Sequence, residues 1–301
     1  MQFYPPSYYD DKANGYRSIQ TVPLASAMGA EIHGVDIAAM TDQQFEEIKS
    51  ALFRYKMIYF RNQDITPEDQ ERFTLRFGPF GTDAYTGGME GHPNVQRLVK
   101  EAETVVPRVF GETWHTDSPF LPRPPAISLL YGLEVPLYGG DTWWSNTELA
   151  YEFLSDKMKE MLAGLRVHMS AREVIRNTVE VSPEGKQKVG NIDITMAQQN
   201  SYIEGSYHPL VRTHPETGKK SLYVDRAYAL GIQGLADAEA GPLLTMLGEH
   251  VTREIFMCRL RWENRTFVLW DNRSVIHYAF NDYDGYRREM YRTIVEGEAP
   301  A

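Results

Sequence analysis

The strand-rich last third of the chain constrains its fold most. Leu222-Tyr223-Val224, Cys258 to Trp262, Thr266 to Trp270, Ser274 to Tyr278 and Met290 to Val295 are short β-branched or aromatic runs separated by turn residues. A helical pattern from about Ala236 to His250 interrupts them. Many short strands with helices grouped at one side predict a β-rich α+β fold. The expected core is a double-stranded β-helix (jelly roll) with flanking helices, not an alternating βαβ sheet.

The earlier segments fit that frame. Ser18 to Leu24 and Gly29 to Ile37 read as short strands, and Met57 to Phe60 as a buried one. Thr41-Asp42-Gln43-Gln44 is a capping box opening a helix with Phe45, Ile48 and Leu52 on one face. Thr66-Pro67 starts another, with Gly78 as its stop. Residues 79–113 read as loop around one strand, Val95 to Val99, and form a candidate active-site lid. Ala126 to Pro136 and Thr142 to Asn146 are strands joined through the Gly139-Gly140-Asp141 turn. Thr147 to Leu165 reads as two short helices broken near Ser155, and 171–207 is an insert of weak periodicity. No linker divides residues 1–301, which are read as a single domain.

Composition narrows the function classes. A net charge of −10 gives no basic footprint for nucleic acid, and no run approaches the length of a membrane span. The single cysteine, Cys258, excludes an intramolecular disulfide and reads as a buried inert thiol. These features, with no apolar leader in the first residues, point to a cytoplasmic protein.

The chemistry concentrates in Trp114-His115-Thr116-Asp117 and a distant His277. On an extended segment His115 and Asp117 point to one side. With His277 they form a 2-His-1-carboxylate set that suits Fe(II) and leaves positions on the ion open. His-x-Asp alone reads equally well as a histidine bonded to a nearby aspartate. Arg288 and Arg292 follow. On a strand both share a face with Met290, about 13 Å apart, which is room for two anions. His208 and His214 lack metal spacing, while His168 and His250 read as packing or surface residues. Trp143 and Trp144 alternate between core and a second layer.

Taken together, the motifs resemble the iron(II)/2-oxoglutarate dioxygenases related to taurine dioxygenase and 2,4-dichlorophenoxyacetate dioxygenase. The resemblance runs over nearly the whole chain. It rests on Gly29 to Asp36, Trp114 to Asp117, Gly139 to Thr142, His208 to Pro215, Trp270 to Arg273, and His277-Tyr278-Ala279 with Arg288 and Arg292. It implies that His115, Asp117 and His277 bind iron and that the Thr142 hydroxyl bonds 2-oxoglutarate. Arg288 would pair with that cosubstrate's far carboxylate, and Arg292 with the acidic group of the prime substrate. Fe(II), 2-oxoglutarate and O2 are the implied cofactors, with succinate and CO2 as coproducts. A homodimer or homotetramer is the implied assembly.

The expected substrate is a small anion, a carboxylate such as an aryloxyalkanoate or else a sulfonate. Taurine-binding relatives carry a histidine where spacing puts Asp83, and an asparagine where this chain has Gly111. An aspartate repels a sulfonate, so Asp83 is expected to meet a cationic part of a zwitterionic substrate. Tyr85, Phe110 and the 171–207 segment are expected pocket walls. Two other classes could use the same ligands: a non-catalytic jelly-roll metal-binding or sensor module, and a zinc hydrolase.

Overall fold

Alternation along three central strands decides the layering. The computed structural model describes residues 3–104, 111–178, 180–181, 187–189, 192–193 and 196–301. Met57–Phe60 pairs with Thr266–Asp271, which pairs in turn with Ile127–Glu134. The rows Phe60-Phe267-Tyr131 and Ile58-Leu269-Leu129 fall on one face. Tyr59-Val268-Leu130 falls on the other. Both faces are buried, so these strands read as continuous apolar runs instead of alternating ones.

The strands belong to an eight-stranded sheet. In spatial order it runs Gln20–Pro23, Ala30–His33, Met57–Phe60, Thr266–Asp271, Ile127–Glu134, Arg288–Val295, His92–Lys100 and Gly88–Met89. All neighbours are antiparallel except Ala30–His33 with Met57–Phe60. One face is covered by the helices Asp42–Tyr55 and Pro67–Leu75. Capping boxes at Thr41 and Thr66 satisfy the first free N–H groups of both helices. Phe45, Ile48, Ala51, Leu52 and Tyr55 then form the buried stripe of the first. Burial of each large side chain contributes about 1.5–3 kcal/mol.

Against the opposite face lies a three-stranded sheet, Met257–Leu260, Thr142–Asn146 and Val275–Ala279. Trp144 joins the two layers, its ring 5.9 Å from that of Trp270. It is fully buried while Trp143 is half-buried, as the alternation implies. Cys258 lies in the same core, where burial pushes its thiol up. The mixed α/β architecture around a large sheet matches the expected class. Among the described residues no helix is long and apolar enough to cross a membrane.

Several boundaries differ from the sequence reading. The second helix ends at Leu75, short of Gly78. His92–Lys100 is a strand throughout, because pairing with Arg288–Arg292 at its C-terminal end and with Gly88–Met89 at its N-terminal end satisfies polar residues that carry no strand signal of their own. That removes 92–100 from the expected lid; residues 105–110, with Phe110, lie outside the described residues. Strand pairing in the Leu222 run stops at Leu222; Tyr223 and Val224 are buried but outside the strand, the Tyr223 N–H bonding the Leu210 carbonyl at 2.8 Å. The weakly periodic insert contains the helices Arg172–Thr178 and Met196–Glu204. The rest of 171–207 lies partly outside the described residues.

The strand Ser206–Pro209 clamps the segment that follows Asp117. Ser206 Oγ donates to the Phe120 carbonyl at 2.9 Å, and His208 Nε2 meets the Leu121 carbonyl at 3.1 Å. Burial lowers the His208 pKa to about 4. As pH falls below the ordinary histidine range, the unfolded chain takes up this proton before the folded one does. Stability is therefore lost progressively between pH about 6.5 and about 4, by on the order of 3 kcal/mol for this group. Denaturant titrations of His208→Gln across that window should show a shallower loss than wild type; parallel curves would refute the assignment.

Candidate active site

His115 and His277 meet through their backbones. The His115 N–H donates to the His277 carbonyl at 3.0 Å, and the His277 N–H returns the bond at 2.7 Å. This isolated antiparallel bridge puts their rings 4.2 Å apart between centroids. Asp117, two residues on, turns its Oδ1 to 3.9 Å from His115 Nε2 and 3.6 Å from His277 Nε2. One ligand atom from each of the three lies within 4.8 Å of the others, and all three residues are buried.

The protonation states suit a metal. The Thr113 carbonyl, 2.6 Å from His115 Nδ1, can only accept a hydrogen bond. It fixes the proton on Nδ1 and leaves the Nε2 lone pair toward the cluster. Burial holds His115 below the ordinary histidine range, and burial together with His115 takes His277 down to about 3. Burial opposes ionisation of Asp117, but with both imidazoles neutral the Arg292 cation and the hydrogen bond from Ser128 still favour the carboxylate, and its pKa is lowered. Two neutral imidazoles and one carboxylate are a donor set that fits Fe(II).

A second layer of hydrogen bonds aims Asp117. Ser128 Oγ donates to Asp117 Oδ2 and accepts from Asn272 Nδ2 at 2.9 Å. Trp270 Nε1 donates to Asn272 Oδ1 at 2.9 Å. Thr116 Oγ1 donates to the Asn272 carbonyl at 3.0 Å, fixing the residue between the two ligands. Asp271, on the same turn, pairs with His214 Nε2 and with Arg273 at 2.8 Å. Asp225, pushed up to about 7 by burial, accepts from the N–H groups of Ala227 and Tyr228 and more weakly from Thr116. Ser128, Asn272 and Asp225 escaped sequence reasoning. Asn272 lay within a quoted motif, but its role depends on a contact to a strand 144 residues away in sequence.

The expected cosubstrate residues come from the two facing sheets and meet through Trp262. Thr142 opens its strand opposite Ala279, two residues past His277, and its Oγ1 accepts from Trp262 Nε1 at 3.0 Å. Arg288 lies over the rings of Trp262 and Tyr283, at 5.7 and 5.6 Å. Its Nη2 donates to the Gly140 carbonyl at 3.3 Å, and its Nε is buried without a hydrogen-bond partner among the described residues. Burial pulls its pKa down. A cation in that condition is a seat for an incoming anion.

Arg292 differs from expectation. Its Nε donates to Gln96 Oε1 at 2.7 Å and its Nη2 pairs with Asp83 Oδ2. Its Nη1 lies 3.9 Å from Asp117 Oδ1. Asp83 is thus held inside the protein, its Oδ1 accepting from the N–H groups of Tyr85 and Thr86 at 2.7 and 2.6 Å. Tyr85 is buried, its ring 5.7 Å from Phe120.

The chain is similar to known proteins along nearly its full length. Residues 20–294 match the family model described as "Taurine catabolism dioxygenase TauD, TfdA family". The chain belongs to that family. An alkylsulfatase of Acinetobacter baylyi is 32% identical over 95% of this chain and 87% of its own. An alpha-ketoglutarate-dependent sulfate ester dioxygenase of Pseudomonas putida is 31% identical over 92% and 89%. A 2,4-dichlorophenoxyacetate dioxygenase of Cupriavidus pinatubonensis is 28% identical over 94% and 99%. Among solved structures, a taurine dioxygenase from Burkholderia xenovorans superposes with a TM-score of 0.78 at 34% identity, covering 95% and 93% of the two chains. AAD-2 in complex with Mn(II) and N-oxalylglycine gives 0.74 at 27% identity, covering 94% and 98%.

As a TauD/TfdA protein the chain is a 2-oxoglutarate-dependent dioxygenase that uses Fe(II), 2-oxoglutarate and O2. The metal-sensor and zinc-hydrolase readings are set aside. The four other histidines with bland readings take structural partners: His214 on Asp271, His208 on Leu121, His168 on Glu204 and His250 on Ala150. Loss of the hydroxyl that aims Asp117 should weaken the metal directly. Ser128→Ala is expected to lower Fe(II) affinity about 10- to 100-fold in an anaerobic competition titration. Unchanged affinity would show that Ser128 only fills space.

Proposed function

We propose that His115, Asp117 and His277 hold Fe(II), with Arg288 and Thr142 receiving 2-oxoglutarate beside it. When bound, the iron, O2 and 2-oxoglutarate supply the oxidising chemistry: the substrate gains one oxygen atom, and succinate and CO2 leave. The protein contributes geometry. His115 is fixed in one tautomer by Thr113, and Asp117 is fixed in one rotamer by Ser128. The half-buried Arg288 guanidinium offers charge-assisted N–H groups to the far carboxylate of 2-oxoglutarate, and Thr142 adds a hydroxyl. We also read the two facing sheets as the double-stranded β-helix of this family and residues 1–301 as one dioxygenase unit.

The observation that carries this reading is Arg288. It is a half-buried cation on Trp262, whose indole N–H bonds Thr142, and among the described residues its Nε has no hydrogen-bond partner. The prime substrate is then a small organic acid. Sulfate esters, sulfonates and aryloxyalkanoates are the groups that the relatives' names point to. Hydroxylation next to the heteroatom of such a compound gives an unstable product that collapses to a carbonyl compound, with loss of sulfate from a sulfate ester, sulfite from a sulfonate or a phenol from an aryloxyalkanoate.

Succinate formation under air by iron-loaded protein tests the assignment. Arg288→Ala should raise the KM for 2-oxoglutarate by at least about thirtyfold, because a charged partner is removed. His277→Ala should abolish turnover. Undiminished 2-oxoglutarate use by Arg288→Ala would overturn the cosubstrate assignment.

A further inference from the structure

Arg292 stands where the prime substrate's acid group is expected, yet its charge is already matched. Gln96 takes Nε, Asp83 takes Nη2, and Nη1 faces Asp117 at 3.9 Å. The Arg292 and Asp83 side chains are 8% and 5% exposed, so solvent screens the pair little. The neighbours that feel Asp83's charge include three neutral phenols, Tyr85, Tyr202 and Tyr228, gathered around Phe120.

The charges of the loaded site follow from the proposed function, on which this inference rests. Fe(II) and Arg288 together balance Asp117 and the 2-oxoglutarate dianion. Arg292 is the one surplus cation among these groups, and Asp83 cancels it. A simple monoanion arriving at Arg292 therefore meets no uncompensated positive charge, and it lies against a carboxylate. The pair still has unused valence. Asp83 Oδ2 retains a lone pair beside its single bond to Arg292, and the guanidinium retains N–H donors beyond those given to Gln96 and Asp83. A fixed donor and a fixed acceptor side by side, neutral in sum, complement a ligand with an acid group and an ammonium group a few atoms apart.

We propose that Asp83 is a specificity-determining residue: by neutralising Arg292 it makes the site select zwitterionic acids over simple monoanions. Within the acids named above, this favours members that carry an ammonium group near the acid. The same residue acts against bare alkyl sulfates and aryloxyacetates by repulsion.

Calorimetric binding to protein loaded with Mn(II) and N-oxalylglycine tests this without turnover. The probes are two matched pairs, aminoethyl sulfate against propyl sulfate and phenylalanine against phenylpropanoate. Wild type should bind the zwitterion of each pair at least about tenfold more tightly, and Asp83→Asn should reverse the order. Thermal melting shows whether Asp83→Asn is folded. If it is not, the doubly neutral Asp83→Asn/Arg292→Gln keeps the charge balance and should bind both members of each pair alike. Tighter binding of the monoanions by wild type, an unchanged ratio in Asp83→Asn, or a retained zwitterion preference in the double variant each overturns the proposal. So does failure of wild type to bind either zwitterion. Failure to bind N-oxalylglycine at all would instead overturn the cosubstrate reading, so the two failures are distinguishable.

Discussion

The two-way backbone hydrogen bond between His115 and His277 is the join on which the site depends. It brings a loop residue against a strand residue far away in sequence, and it sets the ring spacing before any metal is bound. Asp117, two residues on and held by Ser128, then brings Oδ1 near both imidazoles. Because the bridge extends the small sheet, the packing of Trp144 on Trp270 is also what holds the ligands in register. Site geometry and core stability thus share the same contacts.

Burial gives those contacts their electrostatic meaning. The same loss of water that keeps His115 and His277 neutral leaves Arg288 short of a partner and makes the Arg292–Asp83 pair tight. The two arginines sit on one strand yet stand in opposite conditions. Arg288 is poised for an anion from outside, whereas Arg292 has one built in. In the proposed function, that contrast divides cosubstrate from substrate more sharply than the arginines' spacing does.

Much of this was legible in the sequence, for identifiable reasons. The capping box at Thr41, the helix start at Thr66-Pro67, the Thr142–Asn146 strand and the break at Ser155 are local signals, and the structure places each where expected. His115, Asp117 and His277 were readable as a set because strand parity and ligand chemistry point the same way. What escaped depends on contacts between distant segments. His92–Lys100 owes its full length to the two strands it pairs with, and Ser128 owes its role to Asp117 and Asn272. Asp83 was singled out as a charge facing the substrate, but its pairing with Arg292 is visible only once the strand and the loop are folded together.

The most direct test of the central claim is a crystal structure with Mn(II) and N-oxalylglycine bound. The account predicts metal density joined to His115, Asp117 and His277, with the far carboxylate of N-oxalylglycine on the Arg288 guanidinium and within reach of the Thr142 hydroxyl. Metal bound elsewhere, or a far carboxylate seated away from Arg288, would contradict it.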